Sequence, residues 1–255
     1  MPIKTITRNR LVRYLDEYLK IDKIPDDSVN GLQVEGGTRI TKIAFAVDAC
    51  AQTINAAVRA RADMLIVHHG LFWSRGERIV GVMRKRIAAL VKHNISLYAA
   101  HLPLDCHEEV GNNVELARLL DLRITSKFAL YKGLDIGVIA EAPNPLPRKR
   151  VVSCIEEKLD TTATVLSFGP ATIKRAGIVS GGADFAVGDA IKRGCDTFIT
   201  GETSHVAFHF AKEGKINIIY AGHYASETVG LKALGSHLNE KFNTTCTFIT
   251  APTGF

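Results

Sequence analysis

The stretch Tyr98-Ala99-Ala100-His101, with Asp105 four residues beyond the histidine, has a counterpart in Tyr220-Ala221-Gly222-His223, with Glu227 four residues beyond. Each copy follows an apolar run that reads as a strand, ends on a histidine, and places a carboxylate one helical turn later. A third apolar run ends on adjacent histidines, Met64-Leu65-Ile66-Val67-His68-His69. Imidazoles and carboxylates at neighbouring strand ends are the donors that hold a divalent metal ion. Without thiolate among them, they suit Zn, Fe, Mn, Ni or Co rather than Ca or Mg. His68, His69, Asp105, His223 and Glu227 outnumber the three or four donors that one catalytic zinc uses. Two ions about 3.5–4 Å apart, bridged by a carboxylate and a water or hydroxide, would use all of them, with Glu227 the expected bridge.

Each motif taken alone has a plainer explanation. Side chains alternate along a strand, so adjacent histidines face opposite ways unless the chain turns at the strand end. A carboxylate at a helix start is often only a cap. The metal reading rests on the motifs occurring together. His101, the counterpart of His223, is expected to be a sixth ligand or a substrate contact. Where the first copy has His68-His69 the second has Gly201-Glu202, within Thr200-Gly201-Glu202-Thr203-Ser204-His205. Glu202 and His205 are therefore expected near the same cleft, moving protons or orienting a ligand; a capped helix start explains the stretch equally well. Cys106 is expected to point away from Asp105. His93, His107, His209 and His237 are expected to be exposed or structural. Gly181-Gly182 and Gly111 read as tight turns, and no P-loop or dinucleotide fingerprint is present.

The elements that must carry these residues alternate. Leu11, Leu15, Tyr18 and Leu19 have helical spacing over residues 8–20, and Asn30-Gly31 marks a turn. Strands are predicted at 40–47, 64–67 and 95–100, and helices at 49–60, 82–92 and 113–120. Continuous apolar strands alternating with helices imply an α/β fold, a sheet covered on both faces. The run 195–201 aligns with 62–68, and 177–180 with 44–47 at the same offset. We read two similar α/β domains from an internal duplication, with the metal site in the cleft between them. The expected domains are 1–124 and 125–255, and the helix after about 223 could pack on the first. Residues 125–172 match neither copy and read as β-rich, with a proline-rich turn and a helix near 149–159.

Composition sets outer bounds. At 255 residues, 46% hydrophobic and 23% charged, the chain is of ordinary globular type. It has no apolar run of about 18 residues that could span a membrane. Met1 to Arg10 lacks the apolar core of a secretory signal. Cys50, Cys106, Cys154, Cys195 and Cys246 are scattered and odd in number, which points to free thiols in a reducing cytoplasm. The net charge of +6 is spread along the chain. Its densest cluster, Arg148-Lys149-Arg150, reads as a solvated loop, with a phosphate- or nucleic-acid-facing patch the sharper alternative.

The chain resembles the NIF3-like family, which includes the bacterial YbgI proteins and is also called GTP cyclohydrolase 1 type 2. The stretches that carry the resemblance are Asn30-Gly31-Leu32-Gln33-Val34, Val67-His68-His69-Gly70-Leu71-Phe72-Trp73, His101-Leu102-Pro103-Leu104-Asp105, Val110-Gly111-Asn112-Asn113, Thr200-Gly201-Glu202 and Gly222-His223-Tyr224-Ala225-Ser226-Glu227. The resemblance implies two α/β domains, a dinuclear metal centre on the same residues reached above, and a ring-shaped homohexamer. The family's usual His-His-Pro is His68-His69-Gly70 here, which leaves the ligands intact and is expected to loosen the turn. The chain looks like the short form, without the domain that some relatives carry between the halves.

Two functions compete. One is a metal-dependent hydrolase of a nucleotide or heterocycle. A cyclohydrolase of the implied kind would open the imidazole ring of GTP and release formate, with Glu202 or His205 moving protons. Arg75, Arg78 and Arg84 could meet phosphates, although an ordinary solvated helix explains them as well. The other is a non-catalytic metal-containing scaffold or regulatory protein that meets DNA or a protein partner.

Overall fold

A computed structural model describes residues 5–255 apart from Arg75, so the phosphate contact considered for Arg75 lies outside the described residues. The chain opens with β1 (Ile6–Thr7) and α1 (Arg8–Leu19). It continues through β2 (Gly31–Val34), β3 (Arg39–Ile40), β4 (Lys42–Asp48), α2 (Ala51–Arg59) and β5 (Met64–His69). Next come α3 (Gly81–Lys92), β6 (Ser96–Ala99), the single turn α4 (Leu102–Asp105) and α5 (Asn112–Leu119). A long hairpin of β7 (Arg123–Tyr131) and β8 (Leu134–Pro147) follows, then α6 (Arg148–Leu159), β9 (Thr164–Ser167) and β10 (Thr172–Ile178). The chain then forms α7 (Val187–Lys192), β11 (Thr197–Thr200), α8 (His205–Gly214), β12 (Asn217–Tyr220) and the turn α9 (His223–Ser226). It closes with α10 (Thr228–Phe242) and β13 (Thr245–Phe248).

These elements form two compact units, one up to Leu104 together with Leu231–Ala251, the other Asp105–Gly230 with Pro252–Phe255. The first division falls at Asp105, ahead of the expected 124. The reason is α5, which packs on β7, β8 and β10 and buries Leu116 and Ala117 in the same core as Ile173 and Ile178. Most of α10, with β13, belongs to the first unit.

The first unit is built on a five-stranded sheet in the order β13-β4-β5-β6-β2. β13, β4, β5 and β6 run parallel and β2 closes the edge antiparallel. Met64, Leu65, Ile66 and Val67 are fully buried, the mark of a strand covered on both faces. α1 lays Leu11, Leu15 and Leu19 on this unit; each such buried side chain stabilises the fold by about 1.5–3 kcal/mol. Thr7 Oγ1 caps the helix by accepting from Arg10 N at 3.4 Å.

The second unit has a six-stranded sheet ordered β7-β8-β10-β11-β12-β9. β10, β11 and β12 are parallel; β8 and β9 flank them antiparallel. Both sheets thus contain three parallel strands in chain order with an antiparallel strand beyond the third. The registers agree at the first pair, Ala44 with Leu65 and Gly177 with Phe198. At the next pair Leu65 meets Leu97 and Phe198 meets Ile218. That ladder puts Ala100 in step with Ala221, so His223 lies one residue further along its copy than His101.

The proline-rich segment is a strand rather than a turn. Pro143, Pro145 and Pro147 belong to β8 beyond Glu141, where its pairing with β7 ends. One side of β8 there lacks a ladder, which suits residues without an N–H. The basic cluster opens α6 instead of forming a loop, and Arg148 donates to Pro170 O at 3.1 Å and Asn217 Oδ1 at 2.8 Å. No helix among the described residues is long and apolar enough to cross a membrane.

Candidate metal centre

In the first unit β5 ends on His68 and His69, and the chain leaves β6 through Ala100 to His101. Donor atoms of these three residues lie within 4.8 Å of one another. Each ring is held through Nδ1. His68, fully buried, donates from Nδ1 to Ala100 O at 2.9 Å. A carbonyl only accepts, so this bond fixes the proton on Nδ1 and makes Nε2 the ring's lone-pair atom. His69 Nδ1 meets Asp48 Oδ1 at 2.9 Å, and His101 Nδ1 meets Asp26 Oδ1 at 2.9 Å and Oδ2 at 3.1 Å. Burial alone would raise the pKa of Asp26, but hydrogen bonds and charge from His101, with bonds from Asn30 and Ser28, bring it down to about 2. The ionised carboxylate accepts, so His101 also presents Nε2.

The turn after His69 is tight. A Cβ on Gly70 would lie 2.3 Å from Gln33 Nε2 and 2.7 Å from Ala99 Cβ. Gln33 fills that space, accepting from Leu71 N at 2.6 Å and donating to Val29 O at 2.6 Å. Gly70 therefore admits a side-chain clamp on the turn, contrary to the expected loosening. Trp73 stands edge-on to His101, ring centroids 5.1 Å apart.

In the second unit the carboxylates are buried. Asp105, at the end of α4, accepts at Oδ1 from Asn112 Nδ2 and Ser180 Oγ, both at 2.8 Å. Asn113 donates to the backbone oxygens of Asp105 at 3.2 Å and Ile136 at 2.8 Å, and accepts from Ser180 N at 2.7 Å. His223 opens α9 after Gly222, whose φ of 87° favours glycine. Its Nδ1 meets Glu202 Oε1 at 2.6 Å and its Nε2 meets Glu227 Oε1 at 3.1 Å. Burial disfavours charge on His223, but Glu227 and then Glu202 more than offset this and hold its pKa up at about 9. The same negative charge that favours a proton there favours a divalent cation. Glu227 is 3% exposed, and carboxylates are buried only where something compensates them.

Gly181 makes room for Glu227. A Cβ on it would lie 2.4 Å from Glu227 Oε1, and its φ is 63°. Its carbonyl accepts from Gly201 N at 2.7 Å and Thr200 Oγ1 at 3.0 Å, and its N–H donates to Ser226 Oγ at 3.0 Å. The Gly181-Gly182 turn is thus a wall of the site.

Of the sequence candidates, His68, His69 and His101 come together in one unit, and His223, Glu227 and Glu202 in the other, where Asp105 is also buried. His205 stands apart, exposed at the start of α8 with its ring edge toward His209 at 6.0 Å. Arg78 and Arg84 are exposed. Sequence reasoning missed Asp48, Asp26, Asn112 and Ser180. Asp48 carried a usable signal, since it ends β4 opposite His69 in the ladder. Asp26, in a polar loop far from His101 in sequence, carried none.

The donors fit a divalent metal. Histidine ligands are commonly oriented by a carboxylate or carbonyl on the other ring nitrogen, and four histidines here have that arrangement. The model of the family Duf34/NIF3 (NGG1p interacting factor 3) matches residues 6–253. A GTP cyclohydrolase 1 type 2 homolog of Pyrococcus abyssi is 46% identical over 248 residues, covering 97% of this chain and 99% of that protein. The solved structure of protein ybgI superposes with a TM-score of 0.91 at 36% identity, covering 98% of this chain and 100% of that one. The TTHA1606 protein of Thermus thermophilus gives 0.88 at 41% identity, with the same coverage.

Proposed function

Because this chain belongs to the DUF34/NIF3 family, we propose that it binds two divalent ions through His68, His69, Asp105, His223 and Glu227 and hydrolyses a nucleotide or related heterocycle. The observation that carries the reading is the shared attachment of the histidines. Ala100 O, Asp48 and Glu202 hold Nδ1 of His68, His69 and His223. His68 and His69 thereby turn Nε2 toward a metal, and at His223 an ion would take the place of the proton that Nε2 holds against Glu227. The buried Asp105 and Glu227 would offset part of the charge of two dications. The name of the curated relatives supports a heterocycle as substrate.

Bound ions of this kind lower the pKa of a coordinated water to about 7. The chain's own residues then have distinct tasks. Asn112 and Ser180 fix Asp105, and Gly181 leaves space for Glu227. Glu202, with a side chain 53% exposed and bonded to His223, would pass a proton to solvent.

The test is to load the purified protein with Fe, Mn or Zn and assay formate release from GTP and ring opening of related heterocycles. Turnover that disappears in His68→Ala and Glu227→Ala is the expected result. A fully loaded protein inert toward all of them would overturn the hydrolase reading and favour a non-catalytic metal protein.

A further inference from the structure

We infer that His205 and His209 on α8 form a second metal-binding position, a two-imidazole chelate for Cu(II), Ni(II) or Zn(II) at the surface of the second unit. It shares no donor with the candidate metal centre and stands whether or not that centre binds its ions. α8 begins at His205, so the two histidines are four residues apart and lie one above the other on a single helix face. The same spacing holds zinc in helices that read His-Glu-x-x-His. Ala207 and Ala211, the residues that α8 buries, lie on the opposite face, and both imidazoles are exposed.

The two ring centroids are 6.0 Å apart and the ring planes stand at 84°. Donor nitrogens that share one ion at about 2.1 Å are at most about 4.2 Å apart. Rotation of the side chains brings them within that reach, because exposed side chains change rotamer rapidly. Their contacts are with rings, and His209 also lies edge-on to Phe208 with centroids 5.5 Å apart. The histidines of the candidate centre are instead held by an acceptor on Nδ1. An ion on α8 would therefore sit on two mobile donors, with water in its remaining positions, and would exchange readily with solvent. The positive end of the helix dipole at His205 works against a cation. Asp184 offsets it, accepting from Oγ of Ser204, the residue before His205, at 2.7 Å. Lys212 and Glu213, both exposed one turn beyond His209, balance each other. Imidazoles without thiolate take Cu(II), Ni(II) or Zn(II) ahead of Mn(II), Ca(II) or Mg(II), with Cu(II) the tightest.

The test is a Cu(II) titration of the full chain followed by electron paramagnetic resonance, with far-UV circular dichroism to confirm folding. His205→Asn and His209→Asn replace exposed side chains and should keep the fold. Each should weaken the binding of one Cu(II) by about 10-fold or more, since even the loss of a ligand's hydrogen-bond partner costs about 10–100-fold. The double substitution should weaken it little further, because a single imidazole no longer chelates. His93→Asn, at another exposed histidine, should change nothing. His68→Ala should leave this Cu(II) in place, and its effect on any other ion bears on the candidate centre alone. Cu(II) binding unchanged by both α8 substitutions, or losses that add as for two independent histidines, would overturn the inference.

Discussion

The histidines here are defined by what holds their far side. Each Nδ1 is committed to an acceptor, and the consequence at Nε2 follows from tautomer chemistry alone. Gly181 shows how little freedom remains around them. Gly181→Ala puts a methyl 2.4 Å from Glu227 Oε1 at a φ of 63°. We predict a loss of about 1–3 kcal/mol of stability from the left-handed backbone. Metal content should fall with it, measured by calorimetric melting and elemental analysis on the same sample. A second residue-scale prediction lies away from the site. Burial pushes the Cys195 thiol up to about 11, from 9.0 in the free side chain. Its neutral form is favoured by folding, so its contribution is fully present below pH 9 and is lost as pH rises through 11. Urea midpoints from pH 8 to 10.5 should therefore fall more steeply for the native chain than for Cys195→Ala. Parallel curves would contradict this.

The elements that present the site depend on a few polar links between strand ends and helix starts. Asn113 at the start of α5 bonds to Asp105, to β8 through Ile136 and to the end of β10 through Ser180. Asn113→Ala leaves these buried partners unsatisfied and should cost about 2–4 kcal/mol, read from denaturant unfolding. A cost under about 0.5 kcal/mol would show that water replaces the side chain. The strands that lead to the histidines were legible in the sequence because β5, β6 and β12 are buried along nearly their whole length and read as short apolar runs. His68 and His69 end β5, and His101 and His223 follow β6 and β12. The anchors were not, because ladders and loops set them: Asp48 reaches His69 across β4 and β5, and Asp26 reaches His101 through a loop before β2. Only the proline-rich end of β8 was misread as a turn, because proline forbids a ladder only on the side its nitrogen faces. The helix near 149–159 was legible and is α6 (Arg148–Leu159), but the basic cluster read as a loop is its first turn.

At the scale of the whole molecule, each unit carries its own cluster of candidate donors, His68, His69 and His101 in one and His223, Glu227 and Glu202 in the other. An ion that binds only the folded chain must stabilise it, by about 2.7 kcal/mol when its concentration is 100 times its dissociation constant. Chelation should therefore lower the melting temperature, and His68→Ala should make the melt insensitive to chelator. The most direct test of the central claim is elemental analysis of the purified, dialysed protein after exposure to Zn or Mn. Two ions per chain, reduced in His68→Ala and again in Glu227→Ala, is the predicted result. No bound metal, or a content unchanged by both substitutions, would contradict it.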